Sequence, residues 1–116
     1  MEDESNLQSV QLEYSVEQVN DLIGKSMILD VRPKIFWEFG NIEGSISFPE
    51  EELRSVIEQY QDQLDKASKA GTPIITYCSG GHCDDAEKVR DRLAELGIDA
   101  GVFTGGWEMW EEFKGL

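Results

Sequence analysis

Two short, almost wholly apolar runs constrain the fold of this chain more than any other feature: SMILDV at 26–31 and PIITY at 73–77. Neither alternates apolar with polar residues, as a strand with one wet face would, so each is expected to be a strand covered on both faces. Helical spacing takes over around them. SVEQ at 15–18 reads as a capping box opening a helix with Val16, Val19, Leu22 and Ile23 on one face, ended by Gly24. Residues 50–69 are expected to form one long helix, with acids in its first turn and Leu53, Val56, Ile57, Tyr60 and Leu64 along one side; Gly71 and Pro73 end it. A further helix is expected over 84–96, carrying Ala86, Val89, Leu93 and Leu96 inward, followed by a short strand at 100–104. Gly105 and Gly106 then turn the chain into a last helix over 107–113. Between the first buried run and the long helix, residues 33–49 form an aromatic- and glycine-rich connection in which Ile46 and Phe48 alternate with serines as in a short strand. Strands alternating with helices imply a mostly parallel sheet with helices on both faces and right-handed crossovers. The expectation is one α/β domain over residues 11–116, preceded by a flexible acidic segment at 1–10.

Charge narrows the partners. Ten Lys and Arg against 24 Asp and Glu leave a net charge of −14, which repels nucleic-acid backbones and anionic membrane surfaces. No apolar run approaches the ~18 residues that suggest a membrane span. The opening MEDESN lacks the basic start and apolar stretch of a secretory signal, so a cytoplasmic location is expected. The two cysteines, Cys78 and Cys83, do not make a disulfide framework, and in a reducing compartment they call for a chemical reading.

Both lie in TYCSGGHCDDAEKV, where a buried strand gives way to a glycine loop and then a helix. In parallel sheets the functional site lies at the carboxyl ends of the strands, and Cys78 occupies that place. Gly80 and Gly81 permit the positive φ angles that turn successive N–H groups inward as a cradle, and the following helix N-terminus adds partial positive charge. Such a loop favours a thiolate and makes Cys78 the natural nucleophile; the plainer reading is a buried, inert cysteine at a strand end. Cys78, His82 and Cys83 could be soft metal ligands, but three on one short loop without a fourth point to no metal. His82 reads as an exposed loop residue.

Four segments carry a resemblance. ILDVRP at 28–33, FGNIEGSISFP at 39–49, ITYCSGG at 75–81 and FTGGWEMW at 103–110 resemble, in order and spacing, the characteristic segments of single-domain rhodanese-like sulfurtransferases, with similarity from about Leu12 to Gly115. The resemblance implies a rhodanese-like α/β fold in which Cys78 takes sulfur from a sulfane sulfur donor, small molecule or protein, holds it as a persulfide, and passes it to a thiol acceptor without a cofactor. The outer sulfur would rest in the cradle of Ser79, Gly80, Gly81, His82 and Cys83. It also implies Asp30 and Arg32 as structural residues tying a strand to nearby loops, Arg32 pairing with Glu38 or Glu43.

The loop departs from the pattern C-R-x-G-x-R at both basic positions, which hold Ser79 and Cys83, so thiosulfate:cyanide activity is expected to be weak. Asn41 stands where the family usually has His, at a structural position. Cys83 has two readings: a resolving thiol that converts a Cys78 persulfide into a Cys78–Cys83 disulfide, or a small residue opening the helix. Phe36, Trp37 and Phe39 either wall a pocket beside the cysteine or, as is usual at this density, fill the core; Trp107 and Trp110 read as packing residues. Two alternatives belong to other classes: a dithiol redox protein using Cys78 and Cys83, and a non-catalytic interaction module with the rhodanese fold.

Overall fold

The structure, a computed structural model, describes residues 11–116; the segment at 1–10, expected to be flexible, lies outside the described residues. Strands β1 (Glu13–Tyr14), β2 (Met27–Asp30), β3 (Ile46–Ser47), β4 (Ile74–Tyr77) and β5 (Gly101–Phe103) form one sheet in the order β1-β5-β4-β2-β3, every pair parallel. Among the described residues, six α-helices accompany them: α1 (Val16–Asp21), α2 (Lys34–Phe39), α3 (Leu53–Gln59), α4 (Gln61–Ala70), α5 (Asp85–Glu95) and α6 (Gly106–Lys114). The two apolar runs are β2 and β4, neighbours at the centre of the sheet, with Met27–Asp30 in register with Ile74–Tyr77.

Side-chain alternation along these strands builds two cores. Leu29, Ile74, Cys78 and Val102 face one side, where Phe48, Val56, Ile57, Leu64, Val89 and Leu93 cover them. Ile28, Ile75, Tyr77 and Phe103 face the other, beneath Tyr14, Val16, Val19, Ile42 and Trp110. A period of two residues therefore sends Tyr77 and Cys78 to opposite faces. The side chain of Thr76, fully buried and just before them in the chain, shares its hydroxyl proton between the carbonyls of Ala86 (3.1 Å) and Gly101 (3.2 Å). That joins β4 to both α5 and β5 just below the cysteine loop.

The expected capping box is present: Ser15 Oγ accepts from the Gln18 N–H at 3.1 Å, and the Ser15 N–H donates to Gln18 Oε1 at 2.8 Å. Gly71 ends α4 in the left-handed conformation. Other expectations need correction. The long helix over 50–69 is a single 3-10 turn (Glu50–Glu52) followed by α3 and α4, bent at Tyr60, whose ring turns in against Phe48 at 6.0 Å. The partly buried ring packs against the core at the bend, in a segment that has no Gly or Pro to mark the break. The connection at 33–49 contains α2, and β1 adds a two-residue edge strand beside β5. Leu96, expected to face inward, follows the end of α5 and is exposed; Ile98 takes the buried place instead.

Candidate functional site

The carboxyl ends of β2, β3 and β4 lie level, Asp30 pairing with Tyr77 on one side and Ser47 on the other. From that edge a buried polar network rises. Arg32, itself buried, donates to Asp30 from Nε (3.0 Å) and Nη2 (2.7 Å), and Nη2 also donates to the Gly40 carbonyl (2.7 Å). Tyr77 donates its hydroxyl proton to Asp30 Oδ2 at 2.6 Å and accepts from the Ile42 N–H at 3.1 Å. Burial pushes the Tyr77 hydroxyl well above its ordinary range, and the Asp30 charge adds to the rise. Burial works to lower Arg32, but its bond to Asp30 and the carboxylate charge more than offset that and hold it above its ordinary value. Arg32 thus pairs with Asp30 rather than with Glu38 or Glu43. A partner two residues away along the chain, already buried, leaves the guanidinium no need to reach for a surface acid. Its role as a tie between strand and loop agrees with the sequence.

Above this network the guanidinium lies over the Trp107 ring, 4.9 Å from its centre, while Gly40 leaves room for the indole: a Cβ there would lie 2.8 Å from the ring. Trp107 thereby joins the connection at 33–49 to α6. It is half-buried, whereas Trp110 is core.

Cys78 opens the loop at the end of β4. Gly80 and Gly81 have φ of 107° and 59°, as the cradle reading requires, and the Cys83 N–H closes a turn onto the Gly80 carbonyl at 3.1 Å. Opposite stands the Gly105–Gly106 pair at the start of α6. A Cβ on Gly106, whose φ is +64°, would come within 2.5 Å of the Gly80 nitrogen and 2.6 Å of the Cys78 carbonyl oxygen; one on Gly80 would meet the Gly105 carbonyl oxygen. Backbone packs directly on backbone here. The first N–H groups of α6 are spent on the loop, Trp107 donating to Cys78 O (2.8 Å) and Glu108 to Ser79 O (3.0 Å). The two glycine pairs, far apart in sequence, therefore form one interlocked element.

The Cys78 thiol is 3% exposed, and its proton points to the Cys83 carbonyl at 3.6 Å. Burial pushes it up to about 11, and interaction with the Cys83 thiol adds to the rise; N–H groups of Ala86 and Gly80 act in the opposite sense. The expected thiolate-favouring loop is present in its donors, but desolvation outweighs them. Cys83 is half-buried against the same core, and both thiols are free. Ser79 and His82 are exposed, and Lys88, one turn into α5, pairs with Asp84 (3.6 Å) and Asp85 (3.8 Å). Among the described residues, no group of three or more His, Cys, Asp or Glu side chains is placed to hold a metal ion.

Beside the loop, Arg32, Phe36, Phe39, Ser79, Trp107, Glu108 and Glu111 line an open cleft of about 350 Å³. Phe36 is 54% and Phe39 86% exposed, so these two wall a cleft instead of filling the core, while Trp37 turns away and donates to Ser45. Sequence reasoning missed Glu108 and Tyr77 as parts of this region. Their signal lies in the fold: Tyr77 precedes the cysteine on the opposite face, and Glu108 follows the glycine pair that meets the loop.

No helix among the described residues is long and apolar enough to cross a membrane. No curated protein matches the chain in sequence. Solved structures do match in fold. The BH2092 protein from Bacillus halodurans superposes with a TM-score of 0.74 at 24% identity, covering 96% of this chain and 79% of that one. A rhodanese-related protein from Thermoplasma volcanium gives 0.69 at 21% identity, over 89% and 93%. The human single-domain sulfurtransferase TSTD1 gives 0.68 at 21% identity, over 88% and 96%. The sequence also matches the family model of the rhodanese-like domain across residues 15–113, from the capping box to the last turns of α6, and the chain belongs to that family.

Proposed function

We propose that this protein is a cytoplasmic sulfurtransferase, or persulfide carrier, in which Cys78 is the catalytic cysteine. The observation that carries this reading is the position of its sulfur: at the carboxyl end of the central strand, with the N–H groups of Gly80 and Ala86 lowering its pKa against the burial that raises it. In the first half-reaction Cys78 attacks the sulfane sulfur of a donor R–S–SH. The donor's S–S bond breaks, the Cys78 S–S bond forms, and the leaving thiolate takes up the proton that Cys78 gave up. In the second, an acceptor thiol attacks the outer sulfur, leaving as a persulfide and restoring Cys78. Atoms and electrons balance with no outside oxidant and no cofactor. The cradle of Ser79, Gly80, Gly81, His82 and Cys83 holds the anionic outer sulfur with backbone N–H groups.

Thiosulfate is a poor donor in this reading, because Ser79 and Cys83 stand where basic side chains would clamp a dianion and Lys88 is engaged by Asp84 and Asp85. The Cys78 thiol donates to the Cys83 carbonyl, and the free Cys83 thiol packs against the same core, which supports a second role for Cys83: it resolves the Cys78 persulfide to a disulfide and releases hydrogen sulfide. The test is intact mass after exposure to a polysulfide donor. Wild type is expected to gain one sulfur atom, Cys78→Ser none, and Cys83→Ser to keep the adduct longer. Equal sulfur uptake by Cys78→Ser refutes Cys78 as the carrier; loss of two hydrogens without an adduct supports a dithiol redox protein instead.

A further inference from the structure

Glu108 has a position that the transfer reaction above does not use. Its backbone N–H is tied to Ser79, and its carboxylate reaches back over the glycines of the cysteine loop: Oε1 lies 3.6 Å from the place a Cβ would occupy on Gly80 and 3.7 Å from that on Gly81. The side chain is exposed and makes no salt bridge among the described residues. It also lines the cleft that reaches Ser79, the residue next to Cys78, together with the exposed rings of Phe36 and Phe39. A fixed negative charge therefore sits over the glycines that follow Cys78, in the cleft that reaches the cysteine loop at Ser79.

We infer that Glu108 sets the charge selectivity of this site, admitting cationic and neutral sulfur donors or thiol acceptors along the aromatic cleft and turning away anionic ones. This rests on the sulfur-carrier reading, which it deepens. Net charge repels anions from a distance, but that diffuse field is screened within a Debye length of about 8 Å at physiological salt. Glu108 acts inside that range. A unit charge at a few ångströms, in a nearly aqueous dielectric, changes the local concentration of a singly charged reactant about fivefold and that of a dianion by more than tenfold. Glu111, in the same cleft wall but without a contact to the glycines, has a smaller effect.

The test uses two methanethiosulfonate reagents of opposite charge, the trimethylammonioethyl cation and the sulfonatoethyl anion, on a Cys83→Ser background so that Cys78 alone reports. The ratio of modification rates, cation over anion, is expected to fall about twenty-five-fold in Glu108→Gln, to stay near wild type in Glu108→Asp, and to move less than twofold in Glu95→Gln at the far end of α5. The Glu108 effect shrinks in high salt. In parallel, sulfur gain from thiosulfate is expected to accelerate in Glu108→Gln while gain from cysteamine persulfide slows. An unchanged reagent ratio in Glu108→Gln overturns the inference, as does an equal change in Glu95→Gln, or a Cys78 that neither reagent reaches. The reagents report the field at Cys78 without any sulfur transfer. A shifted ratio in a protein that gains no sulfur therefore refutes the carrier reading alone, and sulfur uptake with an unshifted ratio refutes only the role of Glu108.

Discussion

Replacing Gly106 with alanine tests whether the two glycine pairs act as one element. The new Cβ would lie 2.5 Å from the Gly80 nitrogen, 2.6 Å from the Cys78 carbonyl oxygen and 2.7 Å from the Gly80 Cα. Since all three neighbours are backbone, relief requires the loop and α6 to separate by nearly an ångström. Two hydrogen bonds span that gap, from the N–H of Trp107 and of Glu108, and losing them costs about 1 kcal/mol each. The left-handed conformation of residue 106 adds roughly 1–2 kcal/mol for any residue with a Cβ. The sum is about 3–4 kcal/mol. Gly44→Ala separates the two contributions, because Gly44 has φ +80° with nothing within 4 Å of its added Cβ, and should lose only the conformational part, roughly 1–2 kcal/mol. Urea unfolding measures both. With a slope of roughly 1–3 kcal/mol per molar urea, Gly106→Ala should lower the midpoint by about 2 M, and its Cys78 should react faster with a thiol reagent as the loop loosens. A Gly106→Ala protein no less stable than Gly44→Ala, with wild-type thiol reactivity, would refute the interlock.

Three further outcomes follow from the same geometry. Asp30→Asn leaves the buried guanidinium of Arg32 without its counter-charge and should destabilise the fold by about 3–5 kcal/mol, read by the same urea titration; a loss under ~1 kcal/mol contradicts the network as drawn. Because Cys78 is raised from the ordinary 9.0 to about 11, its neutral form is favoured in the folded protein. The stability this adds is full below pH 9 and lost as pH rises through about 11. On a Cys83→Ser background, thiolate absorbance that appears only in this window and vanishes when Cys78 is also replaced by Ser confirms the shift, whereas ionisation near pH 7 would contradict it. The rate of Cys78 modification should accordingly rise about tenfold per pH unit from 7 to 10, as the thiolate fraction grows.

What the sequence revealed and what it withheld divide along a physical line. Buried strands announce themselves, since both faces of SMILDV and PIITY must be apolar, and the alternation with helices leaves a parallel sheet as the outcome. The cysteine loop was legible for the same reason: its place at a strand end and its glycines are local properties, and the positive φ angles at Gly80 and Gly81 follow. Properties set by contacts between distant segments were not legible. The bend at Tyr60 comes where its ring meets Phe48, and the exposed Phe36 and Phe39 wall a cleft they share with Trp107 and Glu108 of α6. The raised Cys78 is the most instructive difference. Donors that favour a thiolate can be inferred from a glycine loop before a helix, but desolvation is a property of everything packed around the sulfur. Arg32 teaches the reverse lesson, because its partner Asp30 was two residues away and the surface acids considered for it were unnecessary.

The most direct test of the central claim is a chase of labelled sulfur in a single turnover. Protein loaded from a radiosulfur-labelled polysulfide is freed of donor, mixed with an acceptor thiol, quenched at intervals, and mapped by peptide. The sulfurtransferase reading predicts label confined to the peptide bearing Cys78 at first, then lost from it at the rate at which labelled persulfide appears on the acceptor. Label that never resides on that peptide, or that stays there while the acceptor remains unlabelled, would contradict it.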